Sequence, residues 1–142
     1  MERGDEVIVP TNTFLATVMP LVQLGGQPVF ADSELDTGNI DPASVARCIS
    51  SRTVGIAMTH LWGHPCDVVR LKAVAAEHNL WLLEDGSHAH GAMYNGQEVG
   101  SLGDVAAFSF QASKMYGEGR RDFWLPGVRT FLNVRFCWVT FA

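Results

Sequence analysis

The strongest constraint on this chain's fold is a series of short apolar runs separated by turn-forming and helix-patterned segments. Residues 53–60 are almost continuously apolar, as a parallel strand covered on both faces should be. Residues 6–10 form a similar short run stopped by Pro10, residues 28–32 another that ends in an acid, and residues 80–85 and 105–110 two more. Between them the apolar positions take helical spacing. Phe14, Thr17, Val18, Leu21 and Val22 lead to Gly25-Gly26, and Val68, Leu71, Val74 and Ala75 lead to His78-Asn79. Strand and helix alternate with short connections, which predicts βαβ crossovers. The expected fold class is α/β, a mostly parallel sheet with helices on both faces.

Helix starts and stops are legible. Thr11, Asn12 and Thr13 offer caps for the first helix, within which Pro20 should make a kink or mark the first turns. Asp41-Pro42 reads as a cap and first-turn proline for a helix through Val45, Cys48 and Ile49. Asp67 should cap the next helix, and His78 near its end is a favourable dipole partner. Asn95-Gly96 predicts a two-residue hairpin.

Composition narrows the function classes. The chain has 142 residues, about one domain, and a net charge of −5 with no basic cluster interleaved with aromatics, which argues against a nucleic-acid partner. No apolar run approaches the length of a membrane span, and the polar N-terminus lacks a signal peptide's apolar core. Cys48, Cys66 and Cys137 are odd in number and unpatterned, which fits reduced thiols and a cytoplasmic setting.

Strands ending at 85 and near 110 deliver Asp85 and Lys114 to the carboxyl edge of the sheet, where open α/β sheets bind ligands. By itself Lys114 reads as a loop lysine and Asp85 as a cap or loop acid. Together, a carboxylate and an amine there suit pyridoxal phosphate (PLP), with the lysine on its aldehyde and the aspartate on its ring nitrogen. The histidines offer a rival, since His60, His64, Cys66, His88 and His90 hold enough donors for a metal hydrolase. None of them shows a closed ligand spacing. From the residues alone, Phe14 reads as core and Ser109 as a strand hydroxyl.

A series of ordered blocks sharpens this reading. They run from Gly4-Asp5-Glu6-Val7-Ile8-Val9-Pro10 through Thr13-Phe14-Leu15-Ala16-Thr17 and His60-Leu61-Trp62-Gly63-His64-Pro65 to Glu84-Asp85. His88-Ala89-His90-Gly91, Phe108-Ser109-Phe110 and Lys114 with Gly117-Glu118-Gly119 complete them. From about residue 4 to residue 119 the chain resembles the DegT/DnrJ/EryC1/StrS family of PLP-dependent sugar aminotransferases, of the fold-type I (aspartate aminotransferase-like) group. The resemblance implies Lys114 as Schiff-base lysine and proton shuttle, and Asp85 on the pyridine nitrogen. It implies His88 near the ring face and phenolic oxygen, Phe14 stacked on the ring, and Ser109 at the phosphate. It also implies transfer of an amino group from glutamate or glutamine to a keto sugar, often nucleotide-linked, or a cyclitol, within a homodimer. Lysine at 114 argues against the family's dehydratase branch, which carries histidine there.

Two departures from the family pattern shape the expected organisation. The chain starts after the segment that supplies the family's first helix and phosphate cup. At Arg120 the style changes, with four arginines against the single acid Asp122 and six of the chain's fourteen aromatics in the last 23 residues. Residues 1–119 are therefore expected to be part of a PLP-binding large domain. Residues 120–142 are expected to be a divergent tail, frameshifted or disordered, and the alternative to an active enzyme is an inactive truncated remnant.

Overall fold

In a computed structural model of the chain, residues 1–109 are described. Five strands, β1 (Glu6–Pro10), β2 (Gln27–Ala31), β3 (Thr53–Thr59), β4 (Trp81–Asp85) and β7 (Val105–Ala107), form one sheet in the order β2-β1-β3-β4-β7. Every pairing in it is parallel. Three helices, α1 (Leu15–Gln23), α2 (Pro42–Cys48) and α3 (Val68–His78), make the crossovers. A separate hairpin, β5 (Met93–Tyr94) and β6 (Gln97–Glu98), turns at Asn95-Gly96 with φ of 49° and 79°, the double left-handed turn that the dipeptide predicts.

The sheet is covered on both faces, which explains its apolar runs. Along β1, Val7 and Val9 pack with Val18 and Leu21 of α1 and with Ala57. Ile8 points the other way, into a core with Ile56, Met58, Leu82, Val45 of α2 and Leu71 of α3. Fully burying each such aliphatic side chain contributes about 1.5–3 kcal/mol. The fold is the expected α/β architecture.

Most helix ends match their sequence signals. Asp41 accepts from the N–H groups of Ala43 and Ser44, with Pro42 in the first turn of α2. Asp67 accepts from Arg70 N–H, and Asn79 closes α3 in the left-handed conformation at φ 55°.

Three expectations need correction. Residue Phe14, not a hydroxyl residue, occupies the N-cap of α1 and makes no side-chain cap, because Thr13 is engaged elsewhere. Phe14 is not core; it is 68% exposed. The last strand ends at Ala107 rather than running to 110, because Phe108 turns its ring onto Gly86 and Gly100. Pro20 lies inside α1, as the sequence predicts, so the Ala16 carbonyl lacks its helical donor. The expected tail from residue 120 lies outside the described residues. No helix among the described residues is long and apolar enough to cross a membrane.

The two described cysteines differ sharply. Cys66 is buried and its thiol donates to the Thr59 carbonyl at 3.2 Å; burial pushes its pKa up to about 12. Cys48 is only half-buried. Iodoacetamide at pH 8 should label Cys48 and leave Cys66 unmodified until denaturant is added, as peptide mass mapping would read. Labelling of Cys66 in the folded protein would contradict the packing described.

Candidate functional site

The strand order places a topological switch point between β1 and β3. The chain leaves β1 towards β2 on one side and returns to β3 on the other, which opens a crevice at the carboxyl ends of the strands. The segments following β1, β3 and β4 meet there. The His60 N–H donates to the Asp85 carbonyl at 3.0 Å and ties the ends of β3 and β4 together.

Asp85 is the last residue of β4 and is half-buried. Its Oδ2 accepts from the Thr17 hydroxyl at 2.6 Å and its Oδ1 from the Ser87 N–H at 3.0 Å. Behind Thr17, the Thr13 hydroxyl lies 2.8 Å from Thr17 Oγ1 and 2.9 Å from Thr59 Oγ1. Each carboxylate oxygen keeps acceptor capacity for one more donor.

Strand alternation sends the neighbouring Glu84 to the opposite face, where it is fully buried. Its Oε1 accepts from the N–H groups of Leu102 (2.7 Å) and Gly103 (2.6 Å). Its Oε2 accepts from the Gly100 N–H at 2.7 Å and from His60 Nε2 at 3.2 Å. The other ring nitrogen, His60 Nδ1, accepts from the Cys66 N–H at 3.0 Å, so the imidazole carries its proton on Nε2. Burial pushes the Glu84 carboxyl up, but the bonds from His60 and from three backbone amides outweigh it and hold the group below its ordinary value. Glu84 thus anchors the loop before β7 to β4, directly beneath Asp85.

Phe14, His88 and Ser109 lie in the segments that follow β1, β4 and β7. Phe14 is exposed between Thr13 and α1, one turn before Thr17. His88 lies in the loop after β4, and its buried Nδ1 finds no hydrogen-bond partner among the described residues. Ser109 is half-buried two residues past β7. Lys114 lies outside the described residues.

The geometry does not assemble the rival metal set. Both ring nitrogens of His60 are occupied, His64 is exposed, and the His90 ring packs on Phe108 with centroids 5.2 Å apart. Among the described residues no three His, Cys, Asp or Glu side chains are grouped to hold a metal.

Residues 1–119 match the model of the DegT/DnrJ/EryC1/StrS aminotransferase family. The chain belongs to that family. It is 47% identical over 107 residues to a dTDP-3-amino-3,6-dideoxy-alpha-D-galactopyranose transaminase of Aneurinibacillus thermoaerophilus, covering 75% of this chain and 30% of the relative. It is 39% identical over 121 residues to the GDP-perosamine synthase of Escherichia coli O157:H7, covering 84% and 33%. Among solved structures, an aminotransferase from Psychrobacter cryohalolentis superposes with a TM-score of 0.78 at 46% identity, covering 80% of this chain and 29% of that one. A Streptococcus pneumoniae protein in its PLP form superposes with a TM-score of 0.77 at 32% identity, covering 80% and 33%. The chain spans about a third of the length of the curated relatives it matches.

Sequence reading of this family member missed the threonine chain and the Glu84 anchor. Thr13 and Thr17 stand four apart, one helical turn, but a hydroxyl pair at that spacing is common on solvated faces. The available signal for Glu84 is an acid that directly closes the apolar run of residues 80–83, but adjacent acids at a strand end do not show which of the two is buried.

Proposed function

We propose that the chain carries the cofactor-binding core of a PLP-dependent sugar aminotransferase, with residues 1–119 as part of its large domain. The observation that carries this reading is Asp85, an acceptor with spare capacity held at the switch-point edge, with a buried His88 nitrogen in the loop that follows it lacking a partner among the described residues. Those groups fit a cofactor with a basic ring nitrogen and a polar rim. PLP, when bound, would supply the electron sink for moving an amino group. Asp85 would hold the ring nitrogen protonated, Phe14 would cover the ring, His88 would meet its polar edge and Ser109 would reach the phosphate. Lys114 would supply the amine for the aldehyde and carry the proton.

Relatives named for dTDP- and GDP-linked amino sugars support a nucleotide-linked keto sugar as acceptor, with a cyclitol as the other candidate class. Glutamate or glutamine as donor, a homodimer and a cytoplasmic setting complete the reading.

The test is the absorbance of purified chain with PLP, before and after borohydride, beside Lys114→Ala. The expected result is a visible band, and after reduction a covalent adduct mapped to Lys114 that is absent from the variant. Folded chain with no band and no adduct would make this polypeptide an inactive remnant.

A further inference from the structure

The threonine chain has a direction. A hydroxyl has one proton to give. Asp85 as a carboxylate can only accept, so at 2.6 Å the Thr17 proton is committed to Oδ2, a charge-assisted distance. At 2.8 Å Thr13 must then donate to Thr17, and at 2.9 Å Thr59 must donate to Thr13. All three protons point towards Asp85.

The links come from different parts of the fold: the end of β3, the segment after β1, the first turn of α1 and the end of β4. They therefore bridge the switch point itself. Thr59 and Thr17 are only 4% and 9% exposed, so water competes poorly for these bonds, and hydrogen bonds in series polarise one another.

We propose that Thr17, backed by Thr13 and Thr59, is the positioning residue of Asp85, orienting its carboxylate for the ring nitrogen of a bound pyridine cofactor. This rests on the cofactor reading above. Thr17 touches neither cofactor nor substrate in it; Thr17 acts through Asp85. With Ser87 N–H on Oδ1 and Thr17 on Oδ2, the carboxylate plane is defined from both sides before any ligand arrives.

The experiment uses the full chain with Thr17→Val, which keeps the shape and removes the hydroxyl, and Thr17→Ser, which restores it. Three-bond NMR couplings about the Asp85 Cα–Cβ bond are read without cofactor, and the affinity for PLP and the 15N shift of its labelled ring nitrogen with it. The wild type and the serine variant should show one Asp85 rotamer and a protonated ring nitrogen. The valine variant should show averaged couplings and an affinity roughly tenfold weaker.

A well-folded Thr17→Val protein that keeps a single Asp85 rotamer and wild-type affinity would overturn the proposal. If that variant does not fold, Thr13→Val cuts the chain one link back, and the same couplings decide. An ordered Asp85 in a wild-type chain that takes up no PLP would sink the cofactor reading instead. The couplings would then still confirm or refute the hold of Thr17 on Asp85.

Discussion

Glu84→Gln should destabilise the fold by about 3 kcal/mol, the scale for removing one partner of a fully buried charged network. The carboxylate accepts four hydrogen bonds, from Gly100, Leu102, Gly103 and His60. Glutamine presents one acceptor oxygen and turns an NH2 group on donors it cannot satisfy, leaving amides buried and unpaired. Since the Leu102 and Gly103 amides belong to the loop that enters β7, its pairing with β4 should weaken too. Chemical denaturation reads the loss, and faster amide exchange at Gly100 and Leu102 localises it.

The same group sets a pH dependence. Its folded pKa lies below the ordinary value of 4.5, so its contribution is fully present above 4.5 and is lost as pH falls through the lowered value. Wild-type stability should therefore fall in that acid window by an amount that Glu84→Gln lacks. Parallel acid profiles for the two proteins would refute the assignment.

The second large effect concerns Gly55, paired in register with Trp81 across the two central strands. A Cβ on Gly55 would stand 2.2 Å from Cδ2 and 2.3 Å from Cε2 of the indole, so the ring or the strand has to move. Gly55→Ala should cost about 2 kcal/mol, the middle of the overpacking range, and lower the melting temperature by roughly 10 °C. Combining it with Trp81→Leu, which vacates that space, should cost less than the two changes summed. Strict additivity would show that the indole does not lie where described.

How much of this was legible beforehand follows from which interactions are local. Asp41, Asp67, Asn79 and the Asn95-Gly96 turn act on their own neighbours in sequence, and their positions were readable. Continuous apolar runs told of two covered faces because burial on both sides leaves no polar alternation. Phe14 misled because an apolar residue at helical spacing looks identical whether its face meets a core or open solvent. The Thr59–Thr13–Thr17–Asp85 series joins residues up to 68 apart in sequence, and no local pattern announces such a pairing. The early end of β7 likewise depends on Gly86 and Gly100 leaving a seat for Phe108.

The position of β1 carries a consequence for how the chain acquires its shape during synthesis. Although it precedes the other strands of its sheet in the chain, β1 sits between β2 and β3 and needs both as neighbours. One of its edges stays open until α1 has folded back and β2 has arrived. The other waits for Thr53, Gly55 and Ile56 of β3 to emerge. Parallel pairings are slow to close, so the nascent chain carries the unpaired apolar run Val7-Ile8-Val9 through that interval. Holdase chaperones that shelter bare strands should therefore engage this protein early, and release it once β3 has docked.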